Sequence, residues 1–530
     1  MNTSNMRSLA ICMTFAMLFT TCTKDLDLEP AYGLNSASVY EDPGNYINVL
    51  AKVYAGLAVS GNQGPAGSPD IAGIDEGFSQ YTRVMWNLQE ICTDEAVCGW
   101  NDVGIPELNT MEWTASNSFV KAGYSRIYFQ ITLCNEFIRE SSDSKLDERG
   151  FSDSDKNRIR MMNREARFLR ALSYWHAIDL FGNVPFVTEE DAVGAFLPEQ
   201  IDRASLFNYI ESELLAIEGG MSAPKSNDYG RADQGAAWML LAKLYLNSQV
   251  YTGVARYAQA AEYAQRIINS GAYALSTEYR FLFLADNDEA PAVNEIIFPV
   301  RFDAMNTQTW GGGTFFVHAF LGNDTQDPVE FGVNGGWAGY RTKQAFSSKM
   351  DTVGDTRNTL HTEGHQQLVE QIGVWTNGFP NSKYRNVTKT GDLPADADPS
   401  GNHVNTDFPM FRLADAYLIY AEAAARGSAD MGTAMGYVND LRQRAYGDNA
   451  HKVSSMTPLE VLDERARELH WEGHRRTDLV RFGLFTSGDY VWEYKGNSPT
   501  GVGVPDYINL YPLSADDVVA NPNLVQNTGY

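Results

Sequence analysis

The chain has 530 residues, 44% of them hydrophobic and 20% charged, and a formal net charge of −26. A composition of this kind at this length supports a large core and excludes a disordered chain. So acidic a surface repels phosphate backbones, which excludes nucleic acid as a partner and leaves neutral molecules and other proteins.

The N-terminus carries one positive charge, Arg7, then a nearly unbroken apolar run over 9–19, then Thr20, Thr21 and Cys22. The run is too short to cross a bilayer as a helix but suits a secretory signal. The polar stretch that follows, from Thr23 to Asp27, contains no stop-transfer segment. This order predicts a bacterial lipoprotein signal over residues 1–21, cleaved before Cys22, whose acylation anchors an otherwise soluble chain to a membrane face. Beyond the signal only Cys92, Cys98 and Cys134 remain. Three cysteines do not make a disulfide scaffold, although Cys92 and Cys98 stand close enough to close a small loop. Cys and His spacing offers no zinc site.

Helical periodicity then comes in blocks: 46–59, 119–140 and 161–180; 204–217, 234–248 and 255–269; 413–426, 434–445 and 458–482. Phe168, Leu169, Leu172, Tyr174, Trp175 and Ile178 leave no solvated face, and neither do Ala236, Trp238, Leu240, Leu244 and Tyr245. Such helices must pack between neighbours. Paired helices stacked side by side predict a mostly α, tetratricopeptide-like frame over about 40–272 and 410–530. Thr457-Pro458-Leu459-Glu460 is a capping box with proline at the first helical position. Between about 273 and 409 the pattern changes to glycine-rich loops with short β-like runs such as 295–300, predicting a loop-rich lobe grafted into the frame.

Several strings, in order, resemble the SusD/RagB family. They begin with Glu165-Ala166-Arg167-Phe168-Leu169-Arg170-Ala171 and Asp179-Leu180-Phe181-Gly182-Asn183-Val184-Pro185. Asn294-Glu295-Ile296-Ile297-Phe298, Phe411-Arg412-Leu413-Ala414-Asp415 and Asn439-Asp440-Leu441-Arg442 follow. Asp478-Leu479-Val480-Arg481-Phe482-Gly483 and the closing Asn521-Pro522-Asn523-Leu524 complete the series. The resemblance implies a lipid-anchored protein of the Gram-negative outer surface, without catalysis or cofactor. Such proteins capture glycans, or in some members peptides, and act as a lid on a SusC-like TonB-dependent transporter.

The residues agree with a binding role. No Gly-x-Ser-x-Gly elbow, phosphate loop or His-Glu-x-x-His motif is present. His470 and His474 stand at i and i+4, a spacing that would chelate a metal on one helix face, yet Glu472 between them reads as helix-end ion pairing, and no metal is expected. Asp94 and Glu95 are adjacent carboxylates whose separation across a sugar is undefined by sequence. A surface glycoside hydrolase is therefore the weakest reading. A sugar needs aromatic rings for its C–H face and planar polar groups for its hydroxyl rim. The segment 80–113 has that composition and resembles the family's ligand loop, with Arg83 and Trp100 in the leading roles, Asn101 and Asp102 as polar companions, and Asp75 upstream. Trp86 and Trp113 read as core anchors, as do Trp175, Trp238 and Trp471. A second aromatic set lies in the lobe: Trp310, Phe315, Trp337, Tyr340 and Trp375, of which Trp310, Trp337 and Tyr340 are the ligand candidates.

Overall fold

The computed structural model of the chain describes residues 36–530, apart from 62–63, 65–68, 195 and 352. The signal sequence and Cys22 lie outside the described residues.

The seven longest helices described before the lobe form the first part of the frame: α1 (Tyr46–Ala58), α2 (Tyr81–Glu90), α3 (Ser118–Glu140), α4 (Asp153–Leu180), α5 (Arg203–Glu218), α6 (Gln234–Leu246) and α7 (Tyr257–Asn269). After the lobe come α9 (Leu413–Ala425), α10 (Met431–Tyr446), α11 (Pro458–Leu469) and α12 (Arg475–Arg481). Helices α3 and α4, α4 and α5, α6 and α7, and α9 and α10 pack as neighbours, and α7 also packs on α9, so the pairs stack as in tetratricopeptide repeats. The lobe holds α8 (Gly312–His318) and short strands. At its base β2 (Ile296–Val300) runs antiparallel to β4 (Phe408–Arg412), with Phe298 opposite Phe411. Every residue of both strands is buried, which explains why, apart from the ion-paired Arg412, their sequences are continuously apolar rather than alternating. A second pair, β1 (Val97–Cys98) with β3 (Tyr340–Arg341), ties the frame's first half to the lobe.

Most predicted helices lie within a few residues of those observed; two do not, and α2 has no predicted counterpart. Helix α4 starts at Asp153, because its capped first turns, with Asp153 and Asp155, are too polar to show an apolar period. Helix α2 falls inside the segment read as a ligand loop. All ten of its residues are buried, and its polar members are bonded internally, so no amphipathic stripe betrays it. The helix expected over 458–482 is two helices, broken where Trp471 takes a left-handed φ of 62°. Two buried carboxyl groups accept the amides freed there: Glu95 from Trp471 N, and Glu90 from His474 N at 2.9 Å. The break parts the two histidines. His470 is held by Thr359 and the Arg467 carbonyl, while the His474 ring lies beside Lys243.

Below that break lies a lattice of buried ion pairs. Arg412 meets Glu295 at 2.9 Å, with Glu468 and Glu472 both at 2.7 Å. Arg357 of the lobe meets Asp355 and Glu464 at 2.7 Å, and Lys383, also of the lobe, meets Glu472 at 2.7 Å. Across the frame Arg465 joins Asp415 and Asp478, both at 2.8 Å. Burial alone would raise the Glu468 carboxyl, but Arg444, Arg412 and Arg357 hold it down at about 2. Glu95 behaves oppositely: burial outweighs its neighbours and pushes it up to about 8. The free thiols Cys92, Cys98 and Cys134 are all buried and form no loop closure.

Glu95 therefore keeps its proton in the folded chain after losing it in the unfolded one, and stability falls as pH rises between those two pKa values. Glu95→Gln, which preserves an acceptor for Trp471 N, is expected to gain on the parent as pH climbs from about 5 to 8. Denaturant midpoints across that range check this, and a pH-independent difference would refute it.

Candidate functional site

The Gln80 side chain caps α2 by accepting Arg83 N at 2.8 Å, which fixes Arg83 at the helix start. Gln80 also accepts Gly312 N at 3.0 Å, so the starts of α2 and α8 are stitched together. At Gly311 a Cβ would sit 2.3 Å from the Gln80 side chain, so this glycine serves close packing rather than exposure of the preceding ring. Arg83 is almost wholly buried. Its Nη1 donates to the carbonyls of Gly77 at 3.1 Å and Trp310 at 2.8 Å, and its guanidinium lies 4.7 Å from the Phe315 ring centre and 5.9 Å from that of Trp100.

Trp100 follows β1. Its indole nitrogen donates to the Trp337 carbonyl at 3.1 Å, and its ring stands at 84° to Tyr340. A Cβ on Gly339 would come within 2.5 Å of the Trp100 ring, so only glycine leaves room for that ring. Trp337 stacks on His318 at 5.0 Å and 14°, and lies 6.3 Å from Trp100 and 6.1 Å from Trp310. Trp310 in turn packs on His403 at 4.9 Å. Next to Trp337, Ala338 adopts φ 49°, a conformation that non-glycine residues seldom take. The bonds of Trp337 N to His318 O, Ala338 N to Leu321 O and Gly339 N to Ala319 O, at 2.7, 2.9 and 3.0 Å, hold that turn in place.

The result is one surface of three half-buried indoles, contributed by chain-distant segments, over a buried arginine. Asn101 and Asp102 are exposed beside Trp100. Asp75 is exposed too, but its carboxylate accepts Gly77 N and Phe78 N, closing the turn whose carbonyl receives Arg83. Tyr340 is a correction: it is wholly buried, and its hydroxyl donates to Asn87 at 2.9 Å, so it supports Trp100 from beneath and reaches no ligand. Phe315 is likewise buried, and Trp375 packs instead on His365 and Arg341. Of the segment 80–113, only 99–102 and Arg83 join this surface. Trp86 and Trp113 are core, as expected, whereas Trp238 is partly exposed on α6, contrary to expectation.

His318 and His403 had no sequence signal, being single histidines far apart in the lobe. The His318 ring nitrogens lie 2.6 Å from the Gly335 carbonyl and 2.9 Å from that of Asn402, fixing the ring under Trp337. Burial pushes this imidazole below its usual range, and the two carbonyls pull it back. Asp94 and Glu95 are not a catalytic pair. Asp94 is held by Arg475 at 2.8 Å and by Tyr490, and Glu95 by the Trp471 amide. Among the described residues no group of three or more His, Cys, Asp or Glu is placed to hold a metal ion.

Comparison with known proteins agrees with this architecture. The SusD family profile matches residues 304–530. The starch-binding protein SusD of Bacteroides thetaiotaomicron is 36% identical over 571 residues, covering 99% of this chain and 98% of that protein. The chain belongs to the SusD family. SusD-like protein P25 of Formosa agariphila is 26% identical, covering 69% of this chain and 72% of the relative. Among solved structures, surface glycan-binding protein A of Bacteroides fluxus superposes with a TM-score of 0.69 at 21% identity, over 92% of this chain and 99% of its own. The corresponding protein of B. thetaiotaomicron, in complex with laminarihexaose, gives 0.67 at 18%, over 91% and 99%. At those identities the structures establish the shared fold.

Gly339→Ala is expected to push the Trp100 ring aside, costing about 1–3 kcal/mol for an overpacked contact and shifting tryptophan emission. An unchanged spectrum and midpoint would contradict this packing.

Proposed function

We propose that the protein captures an oligosaccharide on the Trp100–Trp337–Trp310 surface, without catalysis, and passes it to a SusC-like TonB-dependent transporter. The observation that carries this reading is the convergence of three indoles on one half-buried surface with exposed amide and carboxylate groups at its edge. The flat faces suit the C–H faces of successive sugar rings, while Asn101 and Asp102 suit the hydroxyl rim. Kinship supports it: a full-length relative is a starch-binding protein, and a protein of the same fold is known in complex with laminarihexaose. Both are glucose polymers, so maltoheptaose and laminarihexaose are the first probes.

The proposal includes a lipid anchor on Cys22 at the outer face of the outer membrane. No described helix is long and apolar enough to cross a membrane, in keeping with attachment by lipid. A peptide-capturing role remains the second reading within the family. It predicts affinity for peptides and none for glycans, and the continuous indole surface favours sugar.

A ring stacked on one sugar face, together with the water it displaces, contributes about 1–3 kcal/mol, and losing about 2 kcal/mol weakens binding some thirtyfold. Trp100→Ala is therefore expected to abolish retention on a glycan affinity gel while lowering stability by about 1–3 kcal/mol, for its hydrogen bond and the buried part of its ring. Trp86→Ala, which opens a cavity in the core, is expected to cost about 3–5 kcal/mol. Retention of glycan by Trp100→Ala, or binding of peptides alone, would overturn the reading.

A further inference from the structure

The lobe contains a second cleft, of about 680 Å³, that shares no lining residue with the tryptophan surface. Neighbouring backbone segments are tied together around it: Arg385 N donates to Phe283 O at 3.0 Å, Ser382 N to Thr359 O at 2.8 Å, and His361 N to Pro380 O at 2.8 Å. This volume falls within the roughly 300–1,000 Å³ of pockets that take organic ligands.

The charges along the cleft set it apart from the rest of an acidic molecule. Lys383 and Lys389 line it but are neutralised, by Glu472 at 2.7 Å and Glu289 at 2.9 Å. Arg280 and Arg385 also line it, and among the described residues neither meets a carboxylate within ion-pairing distance. Arg385 is positioned without being satisfied. Its Nε reaches the Ser382 carbonyl at 3.4 Å and its guanidinium lies 4.4 Å from the Phe331 ring centre, and among the described residues its two terminal amino groups have no hydrogen-bond partner. Arg280 is exposed, its guanidinium lies 5.3 Å from the Phe281 ring centre, and among the described residues its side chain makes no hydrogen bond or ion pair. Glu330, the sole carboxylate in the lining, attracts Arg385 from beyond ion-pairing distance, so of the two free guanidinium charges one is left over. Threonine hydroxyls, the Asn358 amide and the His361 imidazole make up much of the remaining wall, and its apolar part is aliphatic.

A guanidinium fork matches the paired oxygens of a carboxylate or sulfate and binds them with two parallel hydrogen bonds. Two such forks in a hydroxyl-rich cleft, without an indole or phenol shelf, select a ligand by its charge. We propose that this cleft is a second binding site, for a saccharide carrying carboxylate or sulfate groups. The protein then has two specificities, stacking for neutral sugar at the tryptophan surface and ionic pairing for acidic sugar in this cleft.

Isothermal titration of the full-length mature protein tests this with four probes: a galacturonate pentamer, the same pentamer with its carboxyls reduced to alcohols, a sulfated oligosaccharide of equal length, and sodium sulfate. One or both acidic oligomers are expected to bind parent and Trp100→Ala alike, and at least tenfold more weakly to Arg280→Gln/Arg385→Gln. Their binding should weaken with added salt. The reduced pentamer should show no dependence on the two arginines. Should the double variant lose its thermal midpoint, Arg280→Gln alone carries the test, because Arg280 is exposed and bonded to nothing. The proposal falls if both acidic oligomers bind no tighter than the reduced one, or if the arginine variants bind like the parent. It also falls if sodium sulfate binds as tightly as the acidic oligomers, which would mark a site for a free ion. Loss of neutral-glycan binding in Trp100→Ala reports on the tryptophan surface independently of all these outcomes.

Discussion

The buried ion pairs around α11 are the constraint on which the rest of this molecule depends. Glu464 and Glu468 of that helix face Arg357 from the lobe, Arg412 from the end of β4, and Arg442 and Arg444 from α10. A buried charge without a partner costs several kcal/mol, and removing one member of a buried pair is far more damaging than never having had it. Each segment is therefore committed to its place by the charges of the others. The lobe cannot drift from the frame without stranding Arg357 and Lys383, so long loops that would otherwise be mobile become a fixed mount.

From that mount a column of buried rings leads to the surface. Trp471, at the break between α11 and α12, lies 5.3 Å from Trp86 and 4.1 Å from Phe320. Trp86 in turn packs at 5.3 Å on Tyr340 and 5.6 Å on Phe315. Tyr340 and Phe315 are the rings beneath Trp100 and Arg83. The left-handed turn at Trp471 and the irregular turn at Ala338 thus stand at the two ends of one packed column. Such rigidity matters for a capture surface, because rings already held in their bound arrangement lose little entropy when a sugar stacks on them.

The sequence makes the frame legible wherever helices pack by one apolar face, as in α1 or α7, since there the period and the burial coincide. It conceals α2, where Thr82, Arg83, Asn87, Gln89 and Glu90 are all buried and every polar side chain mimics exposure. The same cause hides the break at Trp471: a helix stop satisfied by Glu90 and Glu95 from nearly four hundred positions away leaves no local mark beyond Gly473. At the site, Trp100 with its polar neighbours was readable because glycine and amides beside an indole make burial awkward. Trp310 and Trp337 were readable as candidates, but that the three meet depends on β1 pairing with β3. Tyr340 misled for the converse reason, since a tyrosine among glycines looks exposed until the strand pair buries it. His318 and His403, which back two of the indoles, carry no signal apart from the folded structure.

The central claim is that three indoles from separate segments form one sugar-binding surface. A crystal structure of the mature protein soaked with maltoheptaose or laminarihexaose tests it most directly. The account predicts consecutive sugar rings lying face-on to Trp100 and at least one of Trp337 and Trp310, with Asn101 or Asp102 bonded to their hydroxyls. Sugar bound elsewhere while these three rings remain bare would contradict it.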